Sequence, residues 1–230
     1  MSQPPVVCVD GPSGSGKGTL SRRIAQRLGW HLLDSGALYR LTAILADRAG
    51  LIPEQPQQRL TAVELARNLR VEFQALESGD EIILLENQDV TQQVRDEVTG
   101  SQASRWAAIP EIRKALLERQ RGFCRPPGLV ADGRDMGTVV FPQAPLKIFV
   151  TASAAERAKR RVEQLKGMGL DANIDRIYSE IAARDARDQQ RQHSPLTPAA
   201  DAVLLDTTVL SAEAVLSEAL RLIRERHLAQ

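Results

Sequence analysis

Residues 6–28, VVCVDGPSGSGKGTLSRRIAQRL, constrain the possible folds of this chain more than any other segment. The segment begins with a β-branched apolar run, which is typical of a strand buried on both faces of a parallel sheet. Glycines follow at positions 11, 14, 16 and 18, and an amphipathic pattern comes after them. Glycine reaches backbone conformations closed to other residues, so such a turn can point several amide N–H groups at one anion. The segment therefore predicts a strand, a phosphate-binding loop and a helix in direct succession.

The glycine spacing matches the nucleotide-binding P-loop, G-x-x-x-x-G-K-[ST], with one departure. Gly11, Gly16 and Lys17 fit the pattern, but Gly18 stands where serine or threonine is usual, and Thr19 follows. We expect Lys17 to act as a point charge on phosphate and the Thr19 hydroxyl to be a ligand of Mg²⁺. This variant is typical of small nucleotide kinases. A flexible Gly/Ser turn is the alternative, but it leaves the flanking strand and helix patterns unexplained.

The composition indicates a globular protein. At 230 residues and 43% hydrophobic, the chain can bury a core as one domain with an insertion or as two small domains. No apolar run approaches the roughly 20 residues of a membrane span, and MSQPP does not resemble a signal peptide, so we expect a cytoplasmic protein without membrane contact. The net charge of +1 argues against nucleic acid as a partner. Cys8 and Cys124 are expected to be reduced thiols.

Four more segments predict strands of the same sheet, and polar turns follow two of them. The strands are expected within residues 30–34, 129–132, 146–152 and 201–206, the last as a buried strand. Ligands of α/β sheets lie at the carboxyl edge, where the Asp34-Ser35 and Asp132–Asp135 turns would open. A helix cap at Ser35 and an ordinary surface turn at Asp132–Asp135 are the alternatives.

The middle and late segments depart from the strand–helix alternation. Residues 60–100 predict an insertion containing an antiparallel hairpin around Ser78–Asp80, and Pro110 is suited to a helix start. Two charged helices interrupted near Gly167–Gly169 predict a mobile lid, although a solvated, salt-bridged helical hairpin explains the charges equally well. Arg184, Asp188 and Arg191 recur at i, i+4 and i+7 and should share one helix face.

The basic residues point to a second phosphate site. Lysine occurs only at positions 17, 114, 147, 159 and 166, so the other basic residues are arginines, whose planar fork binds phosphate by two bonds. Two unit charges about 5 Å apart repel by roughly 3 kcal/mol at an effective dielectric constant near 20, and arginines would offset this repulsion. A phosphate monoester, with a second pKa of about 6, is already a competent nucleophile and needs no general base. The sequence thus suggests phosphoryl transfer to a phosphate acceptor.

Four motifs, GPSGSGKGT, DSGALYR, DGRDMGTVVFP and RDARDQQR, resemble those of bacterial cytidylate kinases, and the resemblance runs nearly end to end. It implies an α/β, P-loop nucleoside monophosphate kinase fold. This fold has a central five-stranded parallel sheet flanked by helices, a small hairpin-containing insertion that binds the monophosphate, and a helical lid. The implied boundaries are core segments 1–59, 101–152 and 172–230, an insertion at 60–100 and a lid at 153–171.

The resemblance also implies roles for individual residues. ATP would be bound by Gly11, Pro12, Ser13, Gly14, Ser15, Gly16, Lys17, Gly18 and Thr19, and by the lid arginines Arg157, Arg160 and Arg161. Cytosine would be read by Ser104, Arg113 and Asp135, and the ribose by Arg184 and Asp188. The acceptor phosphate would contact Arg40, Arg134 and Arg191, flanked by Ser35 and Tyr39. Lys17, Arg134 and Arg191 would be the catalytic residues.

The implied activity is in-line transfer of the γ-phosphoryl group from Mg-ATP to CMP or dCMP by a monomer. A kinase with a different base preference, for UMP or AMP, is the nearest alternative. A non-catalytic P-loop regulator is the alternative from another class. A GTPase switch is disfavoured because the chain has no Asn-Lys-x-Asp motif.

Overall fold

The computed structural model describes residues 3–75, 81–167 and 171–228, without the side chains of residues 75 and 81. The chain divides into two compact units. Unit 1 comprises Met1–Asp34 and Gln120–Gln230, and unit 2 comprises Ser35–Arg119.

The regular elements alternate between strands and helices at both ends of the chain. The strands are β1 (Val6–Asp10), β2 (His31–Asp34), β3 (Val71–Ala75), β4 (Glu81–Leu85), β5 (Gln88–Asp89), β6 (Leu129–Gly133), β7 (Leu146–Thr151) and β8 (Val203–Asp206). The α-helices are α1 (Lys17–Leu28), α2 (Ser35–Arg48), α3 (Arg59–Arg67), α4 (Thr91–Arg95), α5 (Glu97–Trp106), α6 (Pro110–Arg121), α7 (Ala154–Gly167), α8 (Ile174–Gln189) and α9 (Ala212–Glu225). A 3₁₀ turn covers Pro56–Gln58, and a π-helical turn covers Met136–Val140.

Unit 1 contains a five-stranded parallel sheet in the order β2-β6-β1-β7-β8, which confirms the predicted fold class. Every residue of β1 and β6 is buried, as their unbroken apolar runs predict. Asp10 pairs with Gly133, and Asp34 pairs with Asp132. The chain therefore leaves β1, β2 and β6 at the same edge of the sheet.

The prediction that the last strand is buried is wrong. β8 lies at the end of the sheet, and its Leu204 side chain is 65% exposed. Among the described residues β8 pairs with β7 alone, and along β8 Leu204 is exposed while Leu205 is buried, so one face of this edge strand meets solvent. Its inward residue, Leu205, joins the core cluster formed by β1, β7, α1 and α9.

The charged pair α7 and α8 packs through a small apolar cluster of Ala158, Ile177 and Ile181. The sequence predicts a helix that includes Arg184, Asp188 and Arg191, and this prediction is two residues too long. Helix α8 ends at Gln189, and Arg191 lies beyond it. The Asp188 carbonyl accepts a hydrogen bond from the Leu196 N–H, so the chain turns back instead of continuing the helix. Most of the predicted interruption, at Met168 and Gly169, is outside the described residues, and the lid stays a prediction.

Unit 2 contains α2 to α5, most of α6 and a three-stranded sheet in the order β3-β4-β5. β3 and β4 pair antiparallel, as predicted, although their connection around Ser78–Asp80 is outside the described residues. Strand β5 was not predicted. It follows β4 through Glu86 and Asn87, both at positive φ, which is typical of a two-residue hairpin turn. The boundaries of the insertion, residues 60–100, stay a prediction.

Candidate active site

The P-loop lies between β1 and α1, where the sequence predicts it. Gly16 caps the helix with a φ of 87°, and α1 begins at Lys17. Inside the loop, the Pro12 carbonyl accepts a hydrogen bond from the Ser15 hydroxyl at 3.0 Å and one from Lys17 Nζ at 3.5 Å. The Thr207 hydroxyl, just after β8, donates to the Ser15 carbonyl at 3.1 Å. The first two bonds lie within the loop, and the third joins the loop to the segment that follows β8.

Both acidic and basic side chains surround Lys17 at the carboxyl edge of the sheet. Its Nζ is 3.9 Å from Asp132 Oδ1, with the two side chains 12% and 9% exposed. Burial lowers the pKa of Lys17, and repulsion by Arg134 and Arg184 lowers it further, while Asp132 opposes the change. Burial is the larger cause of the lowered pKa, and an anionic phosphate at this position would oppose both the burial and the repulsion by the arginines.

The departure of Gly18 from the usual P-loop pattern has a steric cause. A Cβ atom at Gly18 would lie 3.2 Å from Asp132 Oδ2, which is closer than most real Cβ contacts. Asp132 Oδ1 is buried and, within the described part of the chain, has no hydrogen-bond partner. Glycine at position 18 thus allows the first turn of α1 to approach an anionic oxygen.

The oxygen atoms near this turn fit a hard divalent cation. The Thr19 side chain is exposed in the first turn of α1, and the Asp132 carboxylate lies beside Gly18 and Lys17. Residues 3–75, 81–167 and 171–228 hold no group of three or more His, Cys, Asp or Glu that could bind a metal. A hydroxyl and a carboxylate are oxygen ligands of the kind that Mg²⁺ prefers, and Mg²⁺ is usually bound by few protein ligands together with phosphates and waters.

Four of the residues assigned to the monophosphate form one cluster in unit 1, and all of them except Arg134 are buried. Asp188, 1% exposed, accepts a hydrogen bond from Arg134 Nε on Oδ2 at 3.1 Å, and its Oδ1 pairs with Arg191. Arg184, one turn before Asp188, donates to the Ser13 hydroxyl of the P-loop at 3.2 Å. The cluster thus joins α8, the turn after β6 and the phosphate loop. Although Arg191 lies beyond the end of α8, its side chain still pairs with Asp188, on the helix face that the sequence predicts.

The three arginines assigned to the lid differ in their contacts. Arg157 is 4% exposed, and its guanidinium donates to the carbonyls of Ser13 and Ala152, each at 3.0 Å. It also donates twice to Asp185 of α8, at 3.2 and 2.5 Å. Arg157 therefore ties the phosphate loop to both charged helices.

Arg160 and Arg161 lie one turn further along α7. Arg160 donates to the Thr207 carbonyl at 2.6 Å and to the Thr207 hydroxyl at 3.1 Å. Because that hydroxyl also contacts Ser15, Arg160 is linked to the P-loop through one residue. Arg161 donates to Gln164 of its own helix at 2.8 Å.

Unit 2 carries the remaining assigned residues. The Arg113 guanidinium of α6 lies over the Tyr39 ring of α2, 5.2 Å from its centroid, at a distance typical of a cation–π contact. Arg40 donates to the carbonyls of Val94 and Asp96, at 2.8 and 2.6 Å, and so supports the junction of α4 and α5. Ser35 and Ser104 are both buried, at the start of α2 and within α5.

Sequence reasoning assigned no role to Asp10, although the structure places it between two candidate segments. Asp10 ends β1 directly before Gly11, and its carboxylate accepts hydrogen bonds from the backbone of the turn after Asp135. An acidic residue at the end of a strand that is otherwise fully apolar is the signal that could have identified it. Its bonding partners, more than a hundred residues away, left no such signal.

The buried Asp10 carboxylate predicts a pH-dependent stability. Burial raises its pKa from 3.8 to about 7, against two backbone N–H donors that lower it, and Asp135 and Asp132 raise it further. Because the folded-state pKa lies above the unfolded one, this stability contribution is full below about pH 4 and is lost as the pH rises through 7. Asp10→Asn removes the titration. We therefore expect the unfolding free energy of wild type minus that of D10N to fall between pH 4 and 7, as measured by urea denaturation.

Titrations shared by the two proteins cancel in that difference, so D10N is its own control for the remaining carboxylates. A difference that stays constant from pH 4 to 8 would contradict a raised pKa for Asp10.

Comparison with known proteins identifies the family. A family model described as cytidylate kinase matches residues 7–225. The chain belongs to the cytidylate kinase family. A cytidylate kinase of Pseudomonas putida (strain W619) is 56% identical over 216 residues, which cover 94% of this chain and 93% of the relative. A cytidylate kinase of Stutzerimonas stutzeri (strain A1501) is 53% identical over 226 residues, covering 98% and 97%. In the described part of this cytidylate kinase family member, no helix has both the length and the apolar character to span a bilayer.

Proposed function

We propose that this protein catalyses transfer of the γ-phosphoryl group of ATP to the phosphate of CMP or dCMP. An oxygen of the acceptor phosphate forms the new bond to the γ-phosphorus, while the bond to the β–γ bridging oxygen breaks. The products are ADP and CDP or dCDP. Membership of the cytidylate kinase family supports this activity.

The observation that carries the proposal is the proximity of two anion-binding groups within unit 1. Lys17, at the start of α1, experiences repulsion from Arg134, which follows β6, and from Arg184 of α8. Asp132 and Asp188 balance part of this positive charge, and the phosphates of a triphosphate and a monophosphate would balance more of it. The geometry of the phosphate loop supports the triphosphate as one of the two.

Catalysis then consists of positioning and charge compensation. Lys17 would stabilise charge on the transferring phosphoryl group, and Arg134 and Arg191 would bind the acceptor phosphate and reduce its repulsion from ATP. The acceptor is mostly a dianion at neutral pH, so no side chain has to remove a proton from it. Asp188 would hold Arg134 and Arg191 in place, since it contacts both.

Mg²⁺ is the proposed cofactor, and Thr19 is its proposed protein ligand. When bound, the ion would neutralise charge on the phosphate oxygens of ATP. The negative charge of Asp132 beside Gly18 favours a cation at this place.

The recognition of CMP is proposed from the family resemblance. Ser104, Arg113 and Asp135 would read cytosine, because an acceptor and a donor suit its amino and carbonyl groups. Arg184 and Asp188 would bind the ribose, and Arg40 would join Arg134 and Arg191 on the phosphate, with Ser35 and Tyr39 nearby. ATP would contact Gly11–Thr19 and the arginines Arg157, Arg160 and Arg161.

We also propose that the protein is a cytoplasmic monomer without nucleic-acid or membrane partners. Sedimentation equilibrium would test whether it is a monomer.

A coupled assay of ADP release tests the function directly. Wild-type protein is incubated with Mg-ATP and, in separate reactions, with CMP, dCMP, UMP or AMP. We expect ADP release with CMP and dCMP that far exceeds the release with UMP or AMP. Preference for UMP or AMP would replace the proposed substrate, and ADP release that no monophosphate stimulates would refute a kinase.

Asp135→Ala tests the assignment of the base-reading residue. Asp135 is 2% exposed, and the loss of one hydrogen bond to a charged group costs about 1.5–3 kcal/mol. We therefore expect the ratio of kcat/KM for CMP to that for UMP to fall by about tenfold or more. Equal discrimination by the variant and the wild type would show that Asp135 does not read the base.

A further inference from the structure

We infer that Asp10 is a positioning residue for the recognition of the monophosphate, because its carboxylate ties the end of β1 to the turn that carries Arg134 and Asp135. The inference rests on the proposed function, in which Asp135 reads the base and Arg134 binds the acceptor phosphate. Asp10 itself would touch neither substrate.

The attachment has two points and is buried. Asp10 Oδ1 accepts a hydrogen bond from the Met136 N–H and Oδ2 accepts one from the Gly137 N–H, both at 2.8 Å. Asp10 is 6% exposed and Met136 is 0% exposed. These two N–H groups belong to the first turn of a helix, where they have no partner within the helix, and bonds from them to a carboxylate are charge-assisted.

Backbone hydrogen bonds join the turn to Asp135, so a shift of the first residues of the turn would also displace Asp135. The Asp135 carbonyl accepts from the N–H groups of Val139 and Val140, at 2.9 and 3.2 Å. On the other side, a Cβ at Gly133 would lie 2.8 Å from the Met136 side chain, which shows how tightly the turn folds back on β6. Asp135 therefore stands between a fixed strand end and a turn that Asp10 holds.

The same residue also adjoins the phosphate loop. Asp10 directly precedes Gly11, so the loop assigned to ATP and the turn assigned to CMP leave the sheet from one shared anchor. Burying a carboxylate at the end of an apolar strand reduces the free energy of unfolding, because the carboxylate loses its hydration and an apolar residue would not. Neighbouring charges increase the cost, because Asp132 and Asp135 are both acidic. The hydrogen bonds from the N–H groups of Met136 and Gly137 offset part of this desolvation.

Asp10→Asn tests the inference with a change of one atom. The amide retains one acceptor but turns an NH₂ group toward the second backbone N–H, so one bond is replaced by a donor–donor contact. We expect KM for CMP to rise about tenfold and the preference for CMP over UMP to fall, since losing such a bond costs about 1.5 kcal/mol. KM for ATP should change less than twofold. A merely structural role would reduce the active fraction, and hence kcat, without changing either KM or the preference.

Asp206→Asn is the matched control. The Asp206 carboxylate also accepts from a backbone N–H, that of Thr208 at 2.8 Å, and from the Thr208 hydroxyl at 2.6 Å, but it lies at the end of β8 and has no proposed contact with a substrate. We expect this variant to leave both KM values and the preference for CMP unchanged. The inference is refuted if D10N, when folded, keeps its KM for CMP within twofold and its preference for CMP unchanged.

Gly137→Ala decides the question if D10N does not fold. A Cβ at Gly137 would lie 3.0 Å from Lys147 Cδ and 3.4 Å from Asp10 Oδ2, so it displaces the same turn without changing any charge. A selective rise in KM for CMP supports the inference, and unchanged kinetics refute it. The wild-type assay separates the two proposals. If wild type prefers another monophosphate, the proposed substrate is wrong, and the effect of D10N is then measured on the preferred one.

Discussion

Arg191→Ala is expected to lower kcat for CMP phosphorylation by about a thousandfold or more, the range known for arginines that stabilise phosphoryl transfer. Arg191 is 9% exposed and pairs with Asp188, whose other oxygen binds Arg134. Without Arg191, the acceptor phosphate loses one of its two proposed cations in unit 1, and the repulsion between the two phosphates increases. The coupled ADP assay at saturating ATP and CMP measures the loss.

Arg221→Ala is the control for removal of an arginine. Arg221 is an exposed residue of α9 that pairs with Glu218 and Glu225 of the same helix, and we expect its removal to leave kcat unchanged. Arg191→Lys should recover only part of the activity, because an ammonium group cannot form the planar double contact of a guanidinium. Activity of a folded R191A protein within threefold of wild type would exclude a catalytic role for Arg191.

The phosphate loop could be predicted in detail because all its signals are local. The apolar residues of β1, the glycines from Gly11 to Gly18 and the apolar face of α1 follow each other within 23 residues. The parallel sheet was also predictable, because a strand buried on both faces has an unbroken apolar sequence. The exposure of one face of β8 was not predictable, since the apolar character of Leu204 does not reveal whether another element packs on that face.

Contacts between distant residues could not be predicted from the pattern. Asp10 and Met136 are separated by 126 positions, and Arg157 and Asp185 by 28. Helical periodicity indicates that a charged residue shares a face with its neighbours, but it does not identify the partner on another element. The end of α8 is a further example. The bond from the Leu196 N–H to the Asp188 carbonyl ends the helix before Arg191, and no residue near Gln189 signals it.

In the candidate site, too, the local features were predictable from the sequence and the contacts between distant segments were not. The turn Asp132–Asp135 was predicted at the sheet edge because it follows a central strand, and Gly133 does pair with Asp10 there. The hydrogen bond from Arg134 to Asp188 of α8 was not predicted, because the family resemblance assigned the two residues to different parts of the monophosphate. The π-helical turn after Asp135 carried no signal, because MGTVV reads equally well as a strand.

Gly11→Ala is expected to reduce the free energy of unfolding by about 3 kcal/mol or more, because it combines a steric clash with backbone strain. A Cβ at Gly11 would lie 2.1 Å from the Val150 carbonyl oxygen of β7, and the residue has a φ of +154°, which L-amino acids rarely adopt. Val150 is fully buried in a central strand, so its carbonyl cannot move away easily. Urea denaturation measures the loss, and ATP binding should weaken with it, because the phosphate loop starts at this residue.

Gly29→Ala separates the clash from the strain. Gly29 caps the end of α1 with a φ of +62°, and in the described part of the chain no heavy atom beyond its immediate chain neighbours lies within 4 Å of a Cβ built there. Its replacement should cost only the strain, about 1 kcal/mol. Equal losses for G11A and G29A would mean that β7 can yield to a side chain at Gly11. The close approach of Gly11 to β7 would then not be what fixes the start of the phosphate loop.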